Sequence, residues 1–195
     1  MRVLVLDNGD PFLDALLGHL RELDAECDVR PSGSLRLKEI QEMRPQPQRI
    51  LLTSGPGRTE STGVCPEVVR HLGGHLPIVG LGLGMHVIIR MAEGELVGPR
   101  PSRGDIAMIR HDGKNLFAGL PSPFDAPRDP CASLIMDGRK IPNDLEVSAW
   151  SEDGTALGCR VWALSMEGVQ VDSRWFSTRL GTDMLFNFLY QAQAW

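Results

Sequence analysis

The segment Gly80-Leu81-Gly82-Leu83-Gly84 carries the strongest chemical signal in the chain. An apolar run enters it and a helix-like pattern leaves it, the arrangement of a nucleophile elbow. In such an elbow the tip residue is strained, flanking glycines let neighbouring chains approach, and the tip side chain is lifted to the mouth of the sheet. Here the tip is Gly82, which has no side chain to lift. Asp172 and Arg174, two apart on an extended segment, share a face and form either an ion pair or two separate solvated charges. His86 follows the elbow, either as a titratable group that gives a pocket new chemistry or as a helix histidine bonded to a backbone carbonyl.

Other candidate groups point to ordinary structural roles. His71 and His75 have ligand-like spacing, but Gly73-Gly74 separates them and no third ligand is evident, so a helix end is expected rather than a metal site. Gly80-x-Gly82-x-Gly84 is a poor dinucleotide loop, because Met85 stands in place of the last glycine of GxGxxG and no Walker lysine follows. No cofactor is expected. Cys27, Cys65, Cys131 and Cys159 are widely spaced with no CxxC, which fits reduced thiols in the cytoplasm, and none of Cys65, Cys131 and Cys159 has an elbow context.

The elements that must position these groups come in a repeating order. Val3 to Leu6 is a short apolar run ending in Asp7-Asn8-Gly9-Asp10, as a buried parallel strand followed by a turn would be. Phe12, Leu13, Leu16, Leu17, Leu20 and Leu23 then recur at helical spacing, with Pro11 suited to the first turn. Arg49 to Leu52 repeats the strand and Cys65 to Leu72 the helix; Pro77 to Leu81 and the helix through Val87, Ile88, Ile89 and Met91 repeat the pair again. Three such units imply an α/β fold whose ligands sit at the carboxyl ends of parallel strands. The second half differs. Pro99 to Gly104 and Pro121 to Pro130 read as proline-rich connections, while Asp105 to Arg110, Leu145 to Trp150 and Val161 to Val171 read as strands of an antiparallel sheet. Met184, Leu185, Phe188 and Leu189 give a final amphipathic helix.

Composition bounds the partners. The 195 residues, 42% of them hydrophobic and 23% charged, suit one domain over residues 1–195. A net charge of −5 with no basic run argues against nucleic acid. The apolar stretch Leu76 to Ile89 is interrupted by Pro77 and glycines and is too short to cross a bilayer, and the N-terminus lacks the pattern of a secretory signal.

Taken in order, the motifs resemble those of class I glutamine amidotransferases, most closely the small glutaminase subunits of anthranilate and aminodeoxychorismate synthases. Asp7-Asn8-Gly9-Asp10-Pro11-Phe12 is similar to the family's opening Asp-Asn-x-Asp-x-Phe, and Gly55-Pro56-Gly57 to its oxyanion-loop Gly-Pro-Gly. His111-Asp112-Gly113, Phe117-Ala118-Gly119-Leu120-Pro121, Leu145-Glu146-Val147 with Ala149-Trp150, and Glu167-Gly168-Val169-Gln170 continue the match. The resemblance implies a flavodoxin-like three-layer sandwich: a mostly parallel central sheet, helices on both faces and a small antiparallel sheet.

The catalytic positions depart from the family. Its elbow Gly-x-Cys-x-Gly-His-Gln becomes Gly80-Leu81-Gly82-Leu83-Gly84-Met85-His86, which puts Gly82 in place of the nucleophilic cysteine. Its Gly-Val-Gln-Phe-His-Pro-Glu becomes Gly168-Val169-Gln170-Val171-Asp172-Ser173-Arg174, with Asp172 for the base and Arg174 for its orienting carboxylate. A cysteine amidase needs a thiolate, a base near neutral pKa and a group holding that base, and all three are replaced. The family's Arg-Tyr-His-Ser-Leu is altered to Arg128-Asp129-Pro130-Cys131-Ala132-Ser133-Leu134, which touches substrate and partner contacts. The expectation is a pseudo-glutaminase, a structural or regulatory subunit of a larger chorismate-utilising synthase. Its binding positions would be Gly55, Pro56, Gly57, Leu83 and His86. The alternatives are an enzyme using Asp172, His86 or Arg103 on another small ligand in the former glutamine pocket, and a free-standing small-molecule sensor.

Overall fold

The computed structural model describes residues 1–96, 106–127, 129 and 141–191. Alternating apolar residues build its centre. In strand β1 (Arg2–Asp7), Val3 and Val5 face one buried cluster while Leu4 and Leu6 face another. Successive side chains of a strand point to opposite faces, so a continuous apolar run requires cover on both sides.

The cover is divided between the faces. Helix α1 (Leu13–Glu22) and helix α5 (Arg179–Phe186), which continues into a π-helical turn at Asn187–Gln191, lie on the Val3 face. Helices α2 (Leu37–Glu42), α3 (Cys65–Leu72) and α4 (Leu83–Met91) lie on the Leu4 face. Every residue of α4 from Leu83 to Ile89 is buried, which explains why its sequence reads as apolar on all sides.

Among the described residues, nine strands form one sheet. With β2 (Glu26–Pro31), β3 (Arg49–Leu52), β4 (Ile78–Leu81), β5 (Ile106–His111), β6 (Phe124–Pro127), β7 (Glu146–Ser151), β8 (Ala156–Val161) and β9 (Met166–Val169), the order is β2-β1-β3-β4-β9-β8-β7-β5-β6. The first five strands in this order are parallel, and every pairing from β9 outward to β6 is antiparallel. The antiparallel strands therefore extend the parallel sheet rather than standing apart from it. Strand β9 is the junction, parallel to β4 and antiparallel to β8.

Several local expectations are corrected. The strand expected over Val161 to Val171 is two strands, reversed by a 3-10 turn at Trp162–Leu164 and by Ser165 at φ +50. That reversal contains neither glycine nor proline, so composition gives no sign of it. Within the expected connection Pro121 to Pro130 runs β6, an edge strand that tolerates Pro127 because only one side is paired. Helix α1 begins at Leu13, beyond Pro11, after a turn in which Asp10 O accepts the Leu13 N–H. Strand β2 and helix α2 were not expected. The segment Pro99 to Gly104, Arg103 within it, and Cys131 lie outside the described residues.

A buried ionic network holds β8 and β9 to the loop after β5. The Arg160 guanidinium, 1% exposed, donates to Glu167 Oε1 and to Asp112 Oδ2 (2.6 Å), and it lies 4.6 Å from the centre of the Trp162 ring. Glu167 is fully buried and also accepts the Leu116 N–H at 3.0 Å.

Candidate functional site

Four strand ends converge to make the site. The turn after β1 is organised by Asp7, whose Oδ1 accepts the N–H groups of Gly9 (2.9 Å) and Asp10 (3.0 Å). Asn8 crosses to the end of β3, donating from Nδ2 to Thr53 O (2.8 Å) and from its backbone to Thr53 Oγ1 (2.9 Å). This brings two loops into contact: a β-carbon on Gly55 would stand 2.1 Å from Asn8 O, so only glycine fits. Gly55 is buried, and Pro56 and Gly57 are exposed beyond it.

The elbow forms as its sequence suggests. Strand β4 ends at Leu81, Gly82 turns the chain at φ +49 and ψ −107, and α4 starts at Leu83. Gly82 donates its N–H to Val169 O (3.0 Å) at the end of β9, which anchors the tip between two parallel strands. Gly84 lets α4 approach β3, where a β-carbon would meet Leu52 O at 2.3 Å. Around the tip lie two hydroxyl–carboxylate pairs. Ser54 Oγ donates to Asp129 Oδ2 at 2.6 Å, and Ser173 Oγ donates to Asp10 Oδ2. Burial pushes the Asp10 carboxyl above its ordinary range; the Ser173 and Phe12 hydrogen bonds oppose this, and the nearby Asp129 and Asp7 charges add to it.

Asp172 and Arg174 resolve as an ion pair. Arg174 Nη2 donates to Asp172 Oδ2 (2.6 Å), and both its Nε and its backbone N–H donate to Oδ1. Asp172 is 6% exposed and Arg174 61% exposed, with the guanidinium 4.8 Å from the centre of the Phe12 ring. Burial raises the Asp172 carboxyl, but the Arg174 hydrogen bonds and charge outweigh it and hold it below the usual carboxylate range.

The sign of this shift sets a pH dependence. A carboxyl depressed on folding contributes stability above its unfolded value, near 3.8, and loses that contribution as pH falls through the lower folded value. Because Arg174 is largely exposed, Arg174→Ala is expected to cost less than about 1 kcal/mol at neutral pH. Urea unfolding at about pH 6 and about pH 3 should show that difference shrinking at the lower pH. A difference that stays constant would show that the pair contributes through packing alone.

The remaining candidates separate. His86 is buried in α4, and its Nε2 donates to the Gln170 carboxamide oxygen at 3.1 Å. Leu83 is buried. His71 lies in the last turn of α3, which closes at Gly73, and no group of three metal-ligating side chains occurs among the described residues. Burial pushes the Cys65 thiol up to about 12, and the Cys159 and Cys27 thiols are also raised by burial. None of these is a thiolate at neutral pH.

Sequence reasoning missed Ser54, Asp129, Asp10 and Ser173 as a group. One signal was visible, namely a carboxylate at position 129 in the altered segment Arg128 to Leu134, of which only Asp129 lies within the described residues. Its reach to Ser54, 75 residues away, is a product of the fold.

Comparison with known proteins agrees with the motifs. Residues 4–192 match the model of the class-I glutamine amidotransferase family. The chain is 33% identical over 188 residues to aminodeoxychorismate/anthranilate synthase component 2 of Bacillus subtilis, covering 96% of this chain and 95% of that one. It is 33% identical over 191 residues to the bifunctional protein TrpGD of Thermotoga maritima, of which it spans only 32%. A glutamine amidotransferase structure from Thermotoga maritima superposes with a TM-score of 0.69 at 12% identity, over 98% of this chain and 97% of that one.

Proposed function

The chain belongs to the class-I glutamine amidotransferase family, and from that premise we propose that it is a pseudo-glutaminase, a non-catalytic structural or regulatory subunit of a larger, chorismate-utilising synthase. One observation carries this reading. The elbow keeps the strained backbone of a nucleophile elbow, at φ +49, and presents no nucleophile. The ion pair Asp172–Arg174 supports it, since a carboxylate held low by a guanidinium is a poor base for a thiol at neutral pH. The partner class rests on the Bacillus relative, whose name makes it the second component of a synthase.

In this reading the whole chain is one domain, works in the cytoplasm and needs no cofactor. No helix among the described residues is long and apolar enough to cross a membrane. A different chemistry in the former glutamine pocket is less well supported, because Ser54 and Asp129 stand at the tip of the elbow and His86 is bonded to Gln170.

The test is glutamine-dependent ammonia release, measured for the chain alone and co-expressed with a chorismate-utilising synthase from the same cells. The expected result is no release above background in either sample, a stoichiometric complex on gel filtration, and a synthase that uses free ammonium. Ammonia release by the unaltered chain overturns the non-catalytic reading, and elution without the synthase overturns the subunit role.

A further inference from the structure

The place of a side chain at the elbow tip is already taken. A β-carbon on Gly82 would stand 2.0 Å from Asp129 Oδ2, 2.3 Å from Ser54 Oγ and 2.9 Å from Ser54 Cβ. Each of these separations is far inside van der Waals contact. The obstructing atoms have little freedom to move aside. Ser54 and Asp129 are both buried, and the 2.6 Å hydrogen bond between them ties one to the other.

We propose that Ser54 and Asp129 form a plug seated where the nucleophile's side chain would stand, and that this plug, not Gly82 alone, keeps the elbow empty. Its description as a nucleophile's seat rests on the pseudo-glutaminase reading. The obstruction itself does not.

The plug acts through charge as well as volume. Acyl transfer at an elbow builds negative charge on the substrate oxygen, and the site must meet that oxygen with hydrogen-bond donors. Here the seat contains a carboxylate, and the charge of Asp129 is felt by a second buried carboxyl, Asp10. Restoring the cysteine without removing Asp129 would place a thiolate against a carboxylate, where like charges raise its pKa and weaken it.

The prediction is an energetic coupling between position 82 and the plug. Gly82→Ala adds a single β-carbon. In the native background it meets both oxygens and is expected to lower the melting temperature sharply. In a Ser54→Gly/Asp129→Ala background only the backbone cost of a positive φ remains, so the drop should fall to roughly half or less. Asp129→Asn keeps a side chain of the same size, and there the drop should stay close to its native-background value. Equal drops in all three backgrounds overturn the plug. If Gly82→Ala does not fold in the native background, a cooperative melt regained in the opened background supports the plug, and failure in both overturns it. Ammonia release from glutamine is measured on the unaltered chain alongside. Release there overturns the pseudo-glutaminase reading without bearing on the coupling.

Discussion

Replacing Arg160 by methionine is expected to destabilise the protein by about 3–5 kcal/mol, the usual consequence of leaving a buried charge without its partner. Arg160 is 1% exposed and Glu167 is fully buried. Removing the guanidinium leaves Glu167 with the Leu116 N–H and takes from Asp112 its buried cationic partner, leaving it the Lys114 N–H. It also removes the face that stacks on Trp162. The loss should depend on pH. Burial pushes Glu167 up to about 7 even though Arg160 pulls it down, and without Arg160 the value rises further. A group whose folded pKa is raised contributes stability below its unfolded value, near 4.5, and loses it as pH rises through the folded value. The native chain has finished this loss above about pH 7, whereas the variant continues to lose stability. Urea unfolding should therefore show the gap between the two widening from about pH 7 to about pH 9. A gap that narrows over that range sinks the account. The double variant Arg160→Met/Glu167→Leu should recover much of the loss, because no buried charge is then left unpaired.

The second large effect is at the elbow. Gly82→Cys is expected to destabilise the chain and to restore no glutaminase activity. The backbone at φ +49 costs a non-glycine residue about 1–3 kcal/mol. Forcing a side chain against Ser54 and Asp129 adds about 1–3 kcal/mol of overpacking. Chemistry fails for a separate reason. Thiolate attack needs a base near neutral pKa and a group to orient it, whereas Asp172 is held low and bound to Arg174. Thermal melts and ammonia release from glutamine check both parts. A variant that is more stable than the native chain, or one that releases ammonia, contradicts them.

The legible part of this molecule is the part written in local pattern. Strands β1, β3 and β4 announce themselves as short apolar runs, and α3 and α4 as helical spacings bounded by glycine. Strand β2 was missed because Glu26, Asp28 and Arg30 alternate with half-buried Cys27 and Val29 at the edge of the sheet, so no continuous apolar run forms. Helix α2 is only six residues long. At the site, Gly82, Asp172, Arg174 and the Gly55-Pro56-Gly57 loop could be located from motif order. The ion pair could be named only as one of two options until the Asp172 and Arg174 geometry decided it. Ser54 and Asp129 could not be paired at all, because the contact depends on the crossing of chain ends around β4 and not on any spacing in sequence.

The position of β9 has a consequence for synthesis. Residues 78–81 of β4 find their outer neighbour only in residues 166–169. While the ribosome is still translating the middle of the chain, β4 has a bare outer margin, and the sheet face that carries Val79 and Leu81 still lacks α5. Such a margin is a template for pairing with another nascent chain. The last-made strand is therefore also the one that closes the elbow, since Val169 O receives the Gly82 N–H. Premature termination before Met166 should yield fragments that aggregate or are degraded, rather than a smaller working domain.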